Sequence, residues 1–316
     1  MTVLIAWTRS LGTYEELLFC SDSRNRGDGR VFDYCPKLML LPRSDCVVGY
    51  AGYTGNAYPL MLQLANAISA FEPARERIMD VGKLVTHLLK VLDAVVSSIS
   101  DAVPIMQFPT DFQLLFGGYS WIEKRFRIWK IVYEVRNRRF VAHSARFPAL
   151  PLHTGAALRW SGVAMPDSIG QVAFAGDKAQ AAKRALSSLV GDGSSCRHDR
   201  AGRAQLDLEP FMVVRDLLLG AHVHDTIGGP PQVVKVYAHH NAAPVAVWWP
   251  SSGRDPSTVR RFLLGRPLLD YEQYGPWALD PYSFRVSHAA YSDSSDGAVS
   301  LNFARGLLVR KVCTRL

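Results

Sequence analysis

The chain of 316 residues is 48% hydrophobic, which is enough for a substantial core, and its apolar runs are shorter than the ~18 residues that a membrane span requires. The net charge is +8, but Lys and Arg are scattered rather than gathered into a tract or a helix face, so nucleic-acid binding is not indicated, and no membrane partner is predicted. The five cysteines are irregularly spaced and include no CxxC pair, which predicts reduced thiols in a cytoplasmic protein rather than disulfides or a zinc site.

The first predicted element is a buried strand over the apolar run Met1–Trp7, and this run lacks the basic residues and cleavage site of a signal peptide. Thr2 has a side chain small enough for the initiator methionine to be removed before it. Removal would place a hydroxyl and a free α-amine on one residue, and an amine that titrates at ~8 can accept the hydroxyl proton at neutral pH. The alternative is an ordinary strand that follows a start codon.

A second strand and two further strands follow. An apolar run at 17–20 forms a hairpin with the first strand and ends in the polar cluster Ser21–Arg24. Lys37 precedes a strand at 38–41, and a strand at 45–52 ends in small residues, which allow the backbone to approach a neighbouring group. Taken singly, the polar cluster is typical of a solvated turn, and a lysine at the mouth of a strand is typical of a solvated end residue.

The sequence up to residue 249 then alternates helices with strands. Apolar residues recur at four-residue steps in the helical segments, as expected where one helix face packs on a core. Asp177 is predicted to cap the third helix. The predicted helices cover residues 56–70, 81–99, 177–189 and 209–219, and the predicted strands cover 112–119, 126–132, 139–143, 171–176, 233–237 and 244–249.

Four features in order resemble a proteasome-type β subunit of the bacterial kind, within the N-terminal nucleophile hydrolases. These features are Thr2 at the first strand, Asp22-Ser23-Arg24 after the second, Lys37 before the third and Ala51-Gly52 after the fourth. The later gaps resemble those of the family closely, and a longer first turn would absorb the few extra residues between Thr2 and Asp22. The resemblance implies an α+β fold arranged as a four-layer αββα sandwich.

The resemblance also implies a mechanism, the hydrolysis of peptide bonds by an N-terminal threonine. Thr2 Oγ would attack the scissile carbonyl while the Thr2 amine takes its proton. Lys37, held by Asp22, would add positive charge that keeps the amine neutral, and the Gly52 N–H would stabilise the oxyanion. No metal or organic cofactor is implied. Members of the family often carry a propeptide, but Thr2 directly follows Met1 here, so we expect maturation by methionine removal alone.

Two departures from the family pattern weaken the support around the nucleophile. The family usually has a serine in the small-residue segment that is matched here by Ala173–Gly176. It also usually has Asp-x-x-Ser-Gly after the fourth helix, where this chain has His224–Gly229 and the serine falls on Gly228 or Ile227. We expect one supporting hydroxyl to be missing in each place.

The resemblance assigns Arg24 and Asp225 to support of the surrounding geometry. It implies a peptide or protein substrate and a homo-oligomer, either a ring or a dimer, and it leaves an unfoldase or adaptor partner open. The missing hydroxyls favour a non-catalytic structural or scaffold subunit, whereas Thr2, Asp22 and Lys37 together favour catalysis. A small-amide hydrolase of the wider superfamily is a third alternative.

The resemblance ends near residue 249, so we divide the chain into a hydrolase domain at 1–249 and a C-terminal extension of unknown role at 250–316. The extension is rich in aromatic residues. We predict a short helix at 259–264 and strands at 299–303 and 307–312 within it.

Other chemistries have weaker signals. His222, His224, His239 and His240 lie close in sequence, but no carboxylate or cysteine spacing completes a ligand set, so no metal site is predicted. The sequence contains no G-x-S-x-G nucleophile elbow.

Overall fold

The fold is described from a computed structural model that covers residues 2–11, 14–27, 29–99, 112–145, 172–191, 197–198, 204–239, 241–251, 258–272, 278–284 and 286–287. These residues form an α+β fold of helices and mainly antiparallel sheets, which confirms the predicted class. The helices are α1 (Thr54–Ala70), α2 (Glu72–Arg75), α3 (Val81–Ser97), α4 (Ala179–Gly191) and α5 (Glu209–Gly220).

The strands fall into two large sheets and two short hairpins. In chain order they are β1 (Leu4–Leu11), β2 (Tyr14–Ser21), β3 (Asn25–Gly27), β4 (Arg30–Phe32), β5 (Leu38–Leu40), β6 (Cys46–Ala51), β7 (Gln113–Ser120), β8 (Arg125–Glu134), β9 (Arg139–Ser144), β10 (Val172–Ala175), β11 (Arg197–His198), β12 (Ala204–Gln205), β13 (Gln232–Tyr237), β14 (Asn241–Pro250), β15 (Val259–Leu263), β16 (Arg266–Pro267), β17 (Ala278–Leu279) and β18 (Val286–Ser287). The pairs β3–β4 and β11–β12 are the short hairpins.

The larger sheet is built around the hairpin of β1 and β2. The two strands pair from Leu4 opposite Ser21 to Leu11 opposite Tyr14, and the other edge of β1 pairs with β10. The strand order is β10-β1-β2-β13-β14-β15-β16, and β17 runs parallel to β14 and pairs with β18. β1 is therefore an interior strand, and its N-terminal end is held between the ends of β2 and β10.

The second large sheet has the sequential order β5-β6-β7-β8-β9, with every neighbouring pair antiparallel. β6 is buried along its whole length. It pairs antiparallel with β7, with Cys46 opposite Gly118 and Ala51 opposite Gln113. The end of β6 and the start of β5 carry the backbone that surrounds the candidate site described below.

Alternating side chains of β1 enter two different apolar cores. Ile5 and Trp7 pack in a cluster with residues of α4 and α5, whereas Leu4 and Ala6 pack in a cluster with residues of β6, β7 and β8 in the other sheet. This is the pattern of a strand that is covered on both faces, since successive side chains of a strand point to opposite sides. A third cluster joins α1 and α3 to the five-stranded sheet.

The structure confirms most of the predicted elements. Helices lie at all four predicted places, with α2 as an additional short helix, and strands lie at the predicted places in the sheets. The role predicted for Asp177 is wrong in its geometry, because α4 begins at Ala179 and the Asp177 carboxylate binds Thr2 instead. The predicted strands at 299–303 and 307–312 lie outside the described residues.

The helix predicted at 259–264 is wrong, because the segment is strand β15. It pairs antiparallel with β14, and Trp249 lies opposite Arg260 while Val247 lies opposite Phe262. A β-branched residue and a phenylalanine in this segment suit a half-buried strand, and the available edge of β14 decides the conformation. The proposed division between residues 249 and 250 falls at the end of β14, and the larger sheet continues into β15 and β17.

Within the described part of the chain, no helix combines the length and apolar character that are needed to cross a membrane.

Candidate active site

Thr2 lies two residues before the start of β1 at Leu4, and the chain at this point is fixed from several sides. Its side chain and backbone are fully buried. The next residue, Val3, donates its N–H to Asp22 Oδ1 at 3.1 Å, and its carbonyl accepts hydrogen bonds from the Asp22 N–H at 3.2 Å and from Ser21 Oγ at 3.1 Å. On the opposite side, the Lys178 N–H donates to the Thr2 carbonyl at 3.4 Å. The position of the Thr2 side chain is therefore set by the ends of β2 and β10.

Lys37 and Asp22 meet at the Thr2 hydroxyl. The Lys37 Nζ donates to Thr2 Oγ1 at 2.8 Å and to the two carboxylate oxygens of Asp22 at 2.9 and 3.0 Å. Lys37 is 2% exposed and Asp22 is 0% exposed, so this ion pair is screened from solvent. An ammonium at this distance stabilises negative charge on Oγ1, which makes the hydroxyl easier to deprotonate.

The Asp22 carboxylate is held by backbone donors as well as by Lys37. The Arg24 N–H donates to Oδ2 at 3.1 Å and the Gly228 N–H does so at 3.4 Å, in addition to the Val3 N–H on Oδ1. Burial raises the pKa of Asp22, while the Lys37 ammonium and the hydrogen bonds from the Val3 and Arg24 N–H groups act in the lowering direction. The Lys37 ammonium therefore favours the ionised form of the Asp22 carboxylate.

Gln232 connects the two partners of this ion pair, and the sequence analysis missed it. Its Nε2 donates to the carbonyls of Asp22 at 3.2 Å and Cys35 at 2.7 Å, and its Oε1 accepts from the N–H groups of Lys37 at 2.9 Å and Leu38 at 3.3 Å. The side chain is fully buried at the start of β13. The sequence shows only that Gln232 is a polar residue at the start of an apolar strand. The same pattern is typical of a strand end that faces solvent, so it does not identify a buried bridging side chain.

Gly52 directly follows β6 and is buried, with a left-handed φ of 126° that favours glycine. Two residues earlier, the Tyr50 N–H donates to the Lys37 carbonyl at 3.1 Å. The end of β6 thus runs beside the Lys37 backbone, and the role of the Gly52 N–H stays a prediction.

Arg24 occupies the opposite side of Asp22 from Lys37. Its guanidinium binds both carboxylate oxygens of Asp33 at 2.6 and 2.8 Å and donates to the carbonyls of His222 at 2.7 Å and Val223 at 3.2 Å. It thereby joins the turn after β2 to the loop between α5 and β13. Asp225 lies on this loop, and its carboxylate accepts a hydrogen bond from the His222 N–H at 2.7 Å, which lowers the pKa of Asp225.

Gly176 and Gly228 lie in the two segments where supporting hydroxyls were expected, and other groups approach each of them closely. A Cβ at Gly228 would lie 2.3 Å from the Arg24 guanidinium carbon. A Cβ at Gly176 would lie 2.0 Å from the Thr2 carbonyl oxygen, and Gly176 also has a left-handed φ of 97°. At position 176 the approaching group is the Thr2 backbone, whereas at position 228 it is the end of the Arg24 side chain.

A carboxylate that the sequence analysis assigned to a helix cap binds Thr2 itself. The Thr2 N–H donates to Asp177 Oδ1 at 2.5 Å, and Thr226 Oγ1 donates to Asp177 Oδ2 at 2.6 Å. Thr226 thus places a hydroxyl near the site, although it stands one or two residues before the expected serine position. An aspartate before a helix carries the same local signal whether it caps that helix or binds a distant residue, so the sequence alone did not separate the two roles.

A cleft of about 530 Å³ lies between the β3–β4 hairpin and the start of α1. Basic and aromatic side chains contribute to its wall, among them Arg26, Arg30, Phe32, Tyr53 and Tyr58. The Tyr58 hydroxyl donates to the carbonyl of Pro36, which precedes Lys37, at 3.1 Å. A ligand that contacted Tyr58 in the cleft would therefore lie close to Pro36, the residue before Lys37.

In the described residues, no three His, Cys, Asp or Glu side chains come together in a way that could hold a metal ion. Comparison of the chain with models of known protein families found no match, and comparison with curated proteins found none either.

Proposed function

We propose that the protein is an N-terminal threonine hydrolase that cleaves amide bonds in peptides or proteins. The observation that carries this proposal is the 2.8 Å contact between Lys37 Nζ and Thr2 Oγ1, made in a buried setting where Asp22 holds the ammonium. A buried lysine and aspartate are costly for a fold, and here the lysine that Asp22 holds donates to the Thr2 hydroxyl.

The proposed reaction begins when methionine removal exposes the Thr2 amine. Thr2 Oγ1 attacks the carbonyl carbon of the substrate, its proton passes to the amine, and the electron pair of the C=O bond moves to the oxygen, which the Gly52 N–H stabilises. Collapse of this intermediate breaks the C–N bond, and the leaving nitrogen takes the proton from the Thr2 ammonium. Water then hydrolyses the ester on Thr2 by the same proton transfers in reverse. Lys37 lowers the cost of negative charge on Oγ1 throughout.

We also propose the four-layer αββα arrangement and the assembly that the resemblance implies. The cluster between the two sheets, and the helix clusters on the outer face of each, support the layer order. Cys20, Cys35 and Cys46 are buried and free, which agrees with a reducing compartment such as the cytoplasm. The basic and aromatic cleft beside Pro36 is the proposed place for the substrate, and a homo-oligomeric ring or dimer is the proposed state.

A non-catalytic structural subunit is the second candidate, and one observation favours it. The two segments in which supporting serines were expected have no serine, so the supporting set depends on Thr226 and Asp177. A subunit that served only an assembly would keep this arrangement without needing an exposed amine at Thr2.

The deciding experiment measures methionine removal and Thr2 reactivity together. We expect the intact mass to lack Met1, and an electrophilic peptide probe to form an ester or ether on Thr2, with the adduct located by mass in the N-terminal peptide. Thr2→Ala should lose labelling and turnover while it keeps its unfolding midpoint. Thr8→Val is the matched control, because Thr8 is also nearly buried on β1 but lies away from Lys37. Retention of Met1, or undiminished turnover by Thr2→Ala, would contradict the proposal.

A further inference from the structure

The turn between β10 and α4 wraps around Thr2 and brings a second carboxylate to the candidate nucleophile. Gly176 packs against the Thr2 carbonyl, Lys178 donates to that carbonyl, and Asp177 between them binds the Thr2 nitrogen at 2.5 Å. The Gly176 N–H is itself held by Gln113 Oε1 at 3.3 Å. The turn is therefore anchored to β7 on one side and to Thr2 on the other.

We propose that Asp177 is a positioning residue that fixes the Thr2 amine and sets the pH at which that amine becomes a base. This inference rests on the proposed function, because it gives a role to the amine that methionine removal would expose. Both carboxylate oxygens already have fixed donors, the Thr2 nitrogen on Oδ1 and the Thr226 hydroxyl on Oδ2. The carboxylate thus has one defined orientation before any reaction takes place.

The charge of Asp177 has two opposite effects on the proposed chemistry. A carboxylate at hydrogen-bond distance favours the ammonium form of an amine. It therefore stabilises the ammonium that forms when the amine takes the proton of Oγ1, in the way that the aspartate of a serine triad stabilises its imidazolium. For the same reason it keeps more of the resting amine protonated at neutral pH, so the enzyme should work best on the alkaline side.

The other charges around Thr2 partly oppose this effect. The Lys37 ammonium at Thr2 Oγ1 favours a neutral amine, and Asp22 partly cancels the charge of Lys37. Lys178 follows Asp177 directly, and Asp225 on the neighbouring loop interacts electrostatically with Lys178. Among these groups, Asp177 is the carboxylate in direct contact with the Thr2 nitrogen.

The test measures the amine itself, so that it does not depend on finding a substrate. The full chain is released from a cleavable fusion that leaves Thr2 as the first residue, with intact mass as confirmation. Threonine is labelled with ¹³C and ¹⁵N, and the Thr2 signals are followed by NMR as a function of pH. The Thr2→Ser variant, which lacks a labelled residue at this position, identifies them.

We expect Asp177→Asn to lower the midpoint of the amine titration by about 1–3 pH units, because an opposite charge is removed from direct contact. Asp177→Ser should shift it in the same direction, and serves if the asparagine variant is unstable. Asp216→Asn is the control, since Asp216 pairs with Arg215 on α5 and should leave the midpoint unchanged. Where turnover is measurable, the acidic limb of the pH profile should move with the midpoint while kcat falls.

The outcomes separate the two proposals. An unchanged midpoint in both Asp177 variants would overturn the inference about Asp177, even in an active enzyme. A shifted midpoint in a protein whose turnover is unaffected by Thr2→Ala would leave Asp177 as the partner of the amine and would overturn the proposed hydrolase instead.

Discussion

Replacement of Lys37 by methionine tests whether the Lys37 ammonium compensates the buried negative charge of Asp22, as the distances between them indicate. Methionine keeps the unbranched shape of the lysine stem but removes the charge. The variant leaves the Asp22 carboxylate 0% exposed and without its ammonium partner, which normally lies 2.9 and 3.0 Å from the two oxygens. Breaking one side of a buried pair in this way generally costs about 3–5 kcal/mol.

The backbone donors place the expected loss at the lower end of that range. The N–H groups of Val3, Arg24 and Gly228 still reach the carboxylate of Asp22, so part of its charge remains compensated in the variant. We expect Lys37→Met to lower the free energy of unfolding by about 3 kcal/mol at pH 7, measured by urea denaturation. The double variant Asp22→Asn/Lys37→Met should recover much of this loss, because no buried charge remains.

The same variant should become more stable as the pH falls. Burial raises the pKa of Asp22, and removal of Lys37 takes away a contribution that lowers it. In the window between that raised native pKa and the ordinary value of about 3.9, the native state therefore binds a proton that the unfolded chain does not. Stability then rises on acidification, by at most about 1.4 kcal/mol per pH unit. The wild type should show the same sign with a smaller amplitude.

Arg43→Met is the matched control for this experiment. Arg43 and Asp45 form another fully buried ion pair, at 2.6 and 2.7 Å, so the control should also lose stability. It should leave Thr2 labelling by the electrophilic probe unchanged, whereas Lys37→Met should abolish it. A loss below about 1 kcal/mol in Lys37→Met, or a stability that falls on acidification, would refute the reasoning about Asp22.

Three further outcomes follow from contacts around Thr2. An uncleavable N-terminal tag should leave a folded but inactive protein, because it converts the Thr2 amine to an amide. A C-terminal tag should leave turnover intact. Equal activities of the two proteins, with both tags confirmed by mass, would exclude the threonine mechanism. Gly176→Ala should displace the Thr2 backbone, since its Cβ would lie 2.0 Å from the Thr2 carbonyl oxygen and its φ of 97° is strained for alanine. We expect this variant to lose at least about 1 kcal/mol of stability and a large part of its probe labelling. Gln232→Leu should cost about 2–4 kcal/mol in thermal or urea unfolding, because it leaves several buried carbonyl and N–H groups unpaired, and a change within about 0.5 kcal/mol would contradict the bridging role of Gln232.

The sequence was most informative where the signal is local. The apolar run of β1 and the hairpin with β2 predict a buried strand, and the alternation of Leu4 and Ile5 between two cores confirms it. The β1–β2 hairpin separates Thr2 from Asp22, and the short segment after β2 separates Asp22 from Lys37. The resemblance therefore predicted that these three side chains lie close together, and the chemistry they perform stays a prediction.

The sequence was least informative where the partner is distant. Asp177 lies 175 residues from Thr2 along the chain and Gln232 lies 195 residues from Lys37, so neither pairing leaves a local pattern. The helix predicted at 259–264 failed for a related reason. Its side chains permit either conformation, and the free edge of β14, which is a tertiary feature, selects the strand.

The buried cations Arg43 and Lys37 differ in the described contacts of their side chains. The Arg43 guanidinium binds Asp45 and also donates to the carbonyls of Ala74 and Met79, so it joins the start of β6 to the segment after α1 and has an evident structural task. Lys37 makes its side-chain contacts with a carboxylate and with the hydroxyl of Thr2.

An apolar pair of similar volume would generally serve a fold as well as a buried ion pair does, or better by about 1–4 kcal/mol. The Lys37 pair therefore costs stability at a place where its ammonium contacts the hydroxyl oxygen of Thr2. If Lys37 and Asp22 served the fold alone, the apolar replacement of both residues, Asp22→Leu/Lys37→Met, would keep Thr2 labelling. We expect that double variant to lose labelling. It should also be less stable than Asp22→Asn/Lys37→Met, because leucine offers no acceptor to the backbone N–H groups of Val3, Arg24 and Gly228. Retained labelling would show that the pair has no part in the chemistry of Thr2.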